Sequence, residues 1–86
     1  MRFFLSGNLM RFSNFQREVE VDASTVRAGL DTLVEQYPSL REVLLDNQHQ
    51  VRGVHKLFLD GEPLDSLQAA VRHDSEVAVV TAIAGG

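Results

Sequence analysis

One stretch of helical periodicity limits the folds that this chain can adopt. Ser24 offers an N-cap, and apolar residues then recur along one helix face until Pro38. The apolar residues of that face are Val26, Leu30, Leu33, Val34 and Tyr37. Pro38 ends the helix, because the residue before a proline is forced out of the α region, and residues 40–44 predict one or two further helical turns. The sequence therefore contains one main helix, and its remaining apolar segments must form other elements.

Four segments carry the β-rich composition or the period-two alternation that predicts strands: residues 1–6, 17–21, 54–60 and 76–81. The first two form a hairpin, and the last strand has two apolar faces, which places it inside the sheet beside the first. Residues 8–16 favour a loop that places one or both of Phe12 and Phe15 in the core, and Asp60-Gly61 is a turn signal. The predicted core is Val19, Val21, Val26, Leu30, Leu33, Leu57, Leu59, Val77 and Val79. The order of these elements predicts an α+β fold with the helix packed on one sheet face.

The length and charge of the chain exclude several classes of function. Its 86 residues suffice for one small domain, which we place at residues 1–81, followed by a flexible tail at residues 82–86. Twelve acidic residues against eight Lys and Arg give a net charge of −4, the wrong sign for a nucleic-acid partner. The apolar N-terminal stretch is too short for a signal peptide, and no run of about 20 apolar residues predicts a membrane span. We therefore expect a cytoplasmic protein.

The chain lacks the residue patterns of an active site or a metal site. It has no cysteine, which removes disulfides, Cys-ligated zinc and a thiol nucleophile of its own. His49, His55 and His73 do not have ligand spacing, so we expect solvated surface histidines and no metal. No Ser-His-Asp arrangement can be argued from the spacing. The chain by itself is therefore predicted not to be an enzyme.

The most informative feature is the C-terminus, Ala82-Ile83-Ala84-Gly85-Gly86. Glycine loses the most conformational entropy on ordering and buries no side chain, so two terminal glycines give the fold no benefit. They suit a carboxylate that enters a narrow active site of another protein, where a Cβ would collide. Five extended residues reach about 17 Å. We therefore expect the Gly86 carboxylate to be the reacting group, with Ala84 and Gly85 needed for access.

A partner needs a docking surface, and the strand alternation supplies a candidate. Phe4, Phe58 and Val80 would share the sheet face opposite the helix, and neighbouring strands would bring them together. Scattered apolar surface residues need no explanation singly, but three on one solvated face make a patch. We predict that this patch is the docking face.

These features give the chain a family resemblance over its whole length. The residues that carry it are Arg2-Phe3-Phe4-Leu5, Thr25-Val26-Arg27-Ala28-Gly29-Leu30, Leu59-Asp60-Gly61-Glu62, Asp74-Ser75-Glu76-Val77-Ala78-Val79-Val80 and Ala84-Gly85-Gly86. The chain resembles the ubiquitin-like β-grasp sulfur carriers. That family includes the small subunit of molybdopterin synthase, the thiamine-pathway sulfur carrier and the carriers of cysteine-synthase and siderophore pathways. The C-terminal tails of the cysteine-synthase and siderophore carriers are the most similar to the tail of this chain.

The resemblance implies a mixed four- to five-stranded sheet and a function carried out with partner enzymes. An E1-like enzyme would adenylate Gly86 with ATP and Mg²⁺, a sulfur donor would form the thiocarboxylate, and a biosynthetic enzyme would accept the sulfur. The chain itself would hold no cofactor. Some members are trimmed by a metalloprotease, which would apply here if residues follow Gly86, and some are permanent subunits of a synthase. Two alternatives remain open: a ubiquitin-like modifier conjugated through Gly86, and a β-grasp interaction domain with an incidental Gly-Gly.

Overall fold

A five-stranded mixed sheet organises residues 1–81, which are the residues that the computed structural model describes. In chain order, its strands are β1 (Arg2–Leu5), β2 (Glu18–Glu20), β3 (His55–Leu59), β4 (Glu62–Pro63) and β5 (Glu76–Thr81). Their spatial order is β2-β1-β5-β3-β4, and only β1 and β5 among these neighbours run parallel. The prediction that the last strand lies beside the first, inside the sheet, is confirmed. The β1–β2 hairpin is confirmed as well.

Three helices accompany this sheet: α1 (Gly7–Met10), α2 (Val26–Gln36) and α3 (Pro38–Leu44). The N-cap of α2 is Thr25 and not the predicted Ser24, because the Thr25 hydroxyl accepts a hydrogen bond from the backbone N–H of Ala28 at 3.1 Å. Pro38 separates the two longer helices as predicted, and it is also the first residue of α3. Proline suits that position, since its missing N–H would have no partner inside the helix. None of the helices within residues 1–81 is long and apolar enough to cross a membrane.

The core lies between α2, α3 and one face of the sheet. Every predicted core residue is buried except Leu59, which is half-buried against the core at the end of β3. The buried apolar residues absent from our predicted core are Met1, Phe3, Leu5, Leu9, Val34, Leu40, Leu44, Leu45 and Val71. Gly29 lets α2 approach the N-terminus closely, because a Cβ at this position would collide with the Met1 Sδ atom. Its position in the helix, which costs helix propensity, is explained by this packing.

Residues 8–16, predicted as a loop, contain most of α1 and then a tight turn. The hydroxyl oxygen of Ser13 is fully buried and lies 3.1 and 2.8 Å from the carbonyl oxygens of Met10 and Gln16. This contact closes the turn, and Asn14 and Phe15 adopt positive φ angles of 57° and 62°. The turn directs Phe15 outward, where it is 72% exposed, so only Phe12 of the two phenylalanines packs against the core.

Candidate functional site

The predicted reacting group, Gly86, lies outside the described residues, as do Ala84, Gly85 and the rest of the predicted tail at residues 82–86. The described chain reaches Thr81, the last residue of β5. Because β5 is the middle strand of the sheet, the chain reaches this point at the centre of one sheet end. The geometry that bears on function is therefore the surface around Thr81.

The three predicted docking residues lie close together on the sheet face opposite the core. Phe4 pairs with Ala78 across β1 and β5, and Ala78 pairs with Phe58 across β5 and β3. Paired residues on neighbouring strands point to the same face, so these three side chains form one row. Val80 follows two residues after Ala78, on the same face, and is 46% exposed. The two phenylalanines are half-buried because they lie within the row.

We call this surface the outer patch, and its members are Phe4, Phe58, Pro63, Ala78 and Val80. Pro63 extends the row by its pairing with Phe58. Two charged, exposed residues border the patch: Glu18 is opposite Phe4, and Lys56 is opposite Val80. An apolar centre with a polar rim is the usual anatomy of a protein–protein interface. The patch therefore has the make-up of a protein-binding surface, and its Val80 adjoins Thr81, the last described residue.

A chain of hydrogen bonds surrounds Thr81. The His55 ring lies with Nδ1 3.0 Å from the Thr81 hydroxyl oxygen and with Nε2 2.6 Å from the carbonyl oxygen of Val43 in α3. The Ser6 hydroxyl, just after β1, donates to the Thr81 hydroxyl oxygen at 3.4 Å. Backbone pairing between His55 and Thr81 joins the same two residues. Three strands and one helix are therefore connected at the end of β5.

His55 corrects our expectation that all three histidines are solvated. It is only 8% exposed, whereas His49 and His73 are exposed as predicted. The reason is strand alternation, since His55 is two residues before the buried Leu57 and shares its inner face. The same period was available in the sequence and would have placed the ring inside. Its partners Ser6 and Thr81 are far apart in the chain, and only the strand order brings them together.

The carboxylate of Asp46, in the loop between α3 and β3, is held by backbone hydrogen bonds. Backbone N–H groups of Gln50 and Gln48 donate to its carboxylate at 3.0 and 2.8 Å. These two bonds, in that order of importance, lower the pKa of Asp46, and the charge of Arg52 adds to the effect. Both donors belong to the turn that Asp46 itself begins, so the carboxylate stabilises this turn. We therefore assign Asp46 to the loop and not to a binding site.

The helix side of the molecule has a shallow surface with mixed charge. An open depression of about 370 Å³ is lined by Arg27, Asp31, Val34, Glu35, Arg41 and His49. Within residues 1–81, no three His, Asp or Glu side chains are grouped so that they could hold a metal ion. The outer patch and the end of β5 therefore remain the candidate site.

Comparison with known proteins identifies a matching family and solved structures with the same fold. The model of the ThiS family matches residues 5–86. SAMP1 (small archaeal modifier protein 1) of Haloferax volcanii superposes with a TM-score of 0.85 at 26% identity, covering 100% of this chain and 98% of that one. A chain of the Amycolatopsis orientalis BexX/CysO complex gives 0.86 at 17% identity, covering 99% and 98%. Mycobacterium tuberculosis CysO gives 0.83 at 17% identity, covering 95% and 98%. No curated protein matches the chain. The superposed structures show that the fold of this chain is the ubiquitin-like β-grasp.

Proposed function

The chain belongs to the ThiS family, and on that premise we propose that it is a sulfur carrier that bears sulfur as a thiocarboxylate at Gly86. The observation that carries the proposal is the extent of the family match, which begins in β1 and continues to Gly86. Proteins of this kind are sulfur carriers or ubiquitin-like modifiers, and they act as protein co-substrates. The chemistry is supplied by the enzymes that bind them.

The proposed reaction has two steps, both at the C-terminal carboxylate. In the first, a carboxylate oxygen of Gly86 attacks the α-phosphorus of ATP in a partner E1-like enzyme. A P–O bond forms, the bond to pyrophosphate breaks, and Mg²⁺ on that enzyme balances the phosphate charge. In the second, hydrosulfide or an equivalent sulfur donor attacks the carbonyl carbon, and AMP leaves with the electron pair of the broken C–O bond. The product is an ionised thiocarboxylate, which is a good nucleophile for an acceptor substrate.

Recognition by two successive enzymes is assigned to the outer patch. Phe4 and Phe58 supply aromatic area beside Val80, and aromatic anchors contribute strongly at the centres of interfaces. The patch reaches Thr81 through Val80, and its Phe4–Ala78–Phe58 row crosses the middle of β5, so an enzyme that covers it could also receive residues 82–86. The BexX/CysO complex, a structural neighbour, is named as an assembly of two proteins, which supports a partner enzyme for this chain.

The sulfur acceptor is assigned only by class: a cytoplasmic biosynthetic enzyme that makes cysteine, a thio-siderophore, molybdopterin or thiamine. If the gene encodes residues beyond Gly86, a metalloprotease would have to remove them first. The chain would hold no cofactor, since ATP and Mg²⁺ are used on the activating enzyme.

The second candidate function is a protein modifier conjugated to lysines through Gly86. The likeness to SAMP1 favours it, because that protein is named a small archaeal modifier protein. Activation at Gly86 is the same in both cases, and only the nucleophile differs.

Mass spectrometry of the full chain distinguishes a sulfur carrier from a protein modifier. The chain is incubated with the E1-like enzyme of the same organism, ATP, Mg²⁺ and sodium sulfide, with an ATP-free sample as the control. A gain equal to the exchange of one oxygen for sulfur, localised to Gly86, supports the carrier. Laddered isopeptide conjugates in cell extract without that exchange would support the modifier, and an unmodified Gly86 in both assays would overturn the proposal.

A further inference from the structure

The charged strand residues on the outer face of the sheet fall into two groups. The first is a cross-strand row in which Arg2 of β1 lies directly between Glu20 of β2 and Glu76 of β5. All three side chains are exposed, and opposite charges on paired residues attract each other. The positive charge of Arg2 is therefore compensated within this row.

Glu18 and Lys56 form the second group, and each is paired with an apolar residue of the outer patch. Glu18 is opposite Phe4, at the β2 side of the patch, and Lys56 on β3 is opposite Val80. Both charged side chains are exposed. Asp65 lines a groove together with Lys56, on the side of β3 away from Val80. Toward the patch, each of the two charges therefore has an apolar neighbour.

The two charges lie on opposite sides of the patch. Three strand spacings of about 4.8 Å separate β2 from β3, which puts Glu18 and Lys56 about 14 Å or more apart. That distance exceeds the screening length of about 8 Å at physiological ionic strength, so the two charges do not neutralise each other. The rim of the patch therefore has a negative side and a positive side.

We propose that this polarised rim fixes the orientation in which the E1-like enzyme binds the outer patch, with a cationic residue of the enzyme facing Glu18 and a carboxylate of the enzyme facing Lys56. This inference rests on the proposed function. The apolar centre of the patch does not select a rotation, because the hydrophobic effect has no direction. The rim charges do select one, since a chain turned by half a turn would bring like charges together.

The decisive variant exchanges the two charges and keeps the net charge of the chain. It combines Glu18→Lys with Lys56→Glu. The matched control combines Glu35→Lys with Arg41→Glu, because both of these residues are exposed on the helix side and their exchange also keeps the net charge. Stopped-flow mixing with the E1-like enzyme of the same organism measures the association rate of each full chain, at about 0.1 M and about 1 M salt.

We expect the exchanged variant to associate about tenfold more slowly than the parent at about 0.1 M salt. The difference should disappear at about 1 M salt, where the screening length is only about 3 Å. The control should associate at the parental rate. A parental rate for the exchanged variant, equal slowing of the control, or slowing that persists at high salt would overturn the inference.

Two milder variants keep the test valid if thermal melts show that the exchanged chain does not fold. Glu18→Gln and Lys56→Gln each remove one charge and keep a side chain of similar length. Each should slow association about threefold at low salt, because a rim charge acts mainly on the association rate. Parental rates for both would overturn the inference.

A second measurement identifies what Lys56 faces in the complex. Lys56 is the only lysine among the 86 residues, and the α-amino group of Met1 is buried and donates to the carbonyl oxygen of Val21 at 3.0 Å. A carbodiimide, which joins amines to carboxylates in contact with them, should therefore link Lys56 to an Asp or Glu of the enzyme. Lys56→Arg should remove this product in mass spectrometry.

The outcomes separate this inference from the proposed function. A complex in which the enzyme adenylates the parent chain but forms no link to Lys56 would overturn the inference and leave the proposed function standing. If the enzyme neither binds nor adenylates the parent chain, the proposed function is wrong, and the inference is overturned with it.

Discussion

Two adjacent phenylalanines have opposite environments in this protein. Phe3 is fully buried in the core, whereas Phe4 is half-buried in the outer patch. The reason is only the alternation of side chains along β1. A one-residue change of register would exchange them and would also turn the rest of the strand over. The assignment of the outer patch therefore depends on the register of β1.

We expect Phe3→Ala to lower the free energy of unfolding by about 3–5 kcal/mol, because it leaves a cavity that the core cannot fill. Phe4→Ala should cost roughly 1 kcal/mol, since that side chain already contacts water. Chemical denaturation of both variants measures the difference, and each serves as the control for the other. Equal losses would mean that the register is misassigned.

At the scale of elements, the sequence predicts the helices and strands that are long enough to show a repeating pattern of apolar residues. The α2 face and the strands β1, β2, β3 and β5 were found within one or two residues of their observed ends. Helix α1 and strand β4, at four and two residues, are too short to show a period, and their tertiary contacts determine them. The shared face of Phe4, Phe58 and Val80 followed from alternation together with the expected adjacency of the first, third and last strands, whereas Ala78 and Pro63 were not predicted as part of it. The His55–Thr81 contact did not follow from alternation, because it depends on how strands distant in sequence are ordered.

The turn between β3 and β4 was predicted from Asp60-Gly61, and both residues have positive φ, at 50° and 87°. That region of φ and ψ suits glycine and disfavours residues with a Cβ. Gly61→Ala should therefore lower the free energy of unfolding by about 1–2 kcal/mol. Gly53→Ala is the control, since its Cβ would meet no atom within 4 Å and its φ is not positive, so its stability should stay equal or rise slightly. Equal destabilisation in thermal melts would contradict this account of the turn.

The loop between α3 and β3 should make stability depend on pH through Asp46. The N–H groups of Gln50 and Gln48 lower the pKa of Asp46 in the folded chain. The contribution of this carboxylate to the free energy of unfolding is therefore present above its unfolded pKa and is lost as the pH falls through its folded pKa. Asp46→Ala should therefore melt below the parent at neutral pH, and the gap should narrow as pH falls below about 4. Asp46→Asn, which keeps an acceptor oxygen, should show a smaller gap at neutral pH. Melts from pH 7 to pH 2 test this, and a gap that does not change with pH would contradict it.

At the scale of the whole molecule, we expect changes at the proposed reacting group, Gly86, to leave the fold intact. Among residues 1–81 the last buried core residue is Val79, and residues 82–86 carry no charged side chain. Gly86→Ala should therefore leave the melting temperature unchanged and abolish adenylation, because a Cβ would collide in a narrow active site. A chain with one residue added after Gly86 should behave in the same way. Normal adenylation of Gly86→Ala, measured by ATP–pyrophosphate exchange, would refute the steric argument for the two glycines.

The outer patch should contribute more to binding than to stability. Phe58 is half-buried between Ala78 and Pro63, so Phe58→Ala should cost roughly 1 kcal/mol of folding free energy. Its affinity for the E1-like enzyme should fall by about 1–3 kcal/mol, because an aromatic anchor at an interface centre carries a large share of the binding energy.

Phe15→Ala provides the matched control for this last prediction, because Phe15 is a more exposed phenylalanine outside the patch. Truncating it removes the same atoms from the surface, so a general loss of apolar area would weaken both variants alike. Calorimetric titration of the enzyme with each variant, beside thermal melts, separates the two effects. Loss of affinity confined to Phe58→Ala would place the enzyme on the sheet face. Unchanged affinity together with a large drop in melting temperature would instead make Phe58 a structural residue, and the enzyme would then have to recognise the chain through another surface.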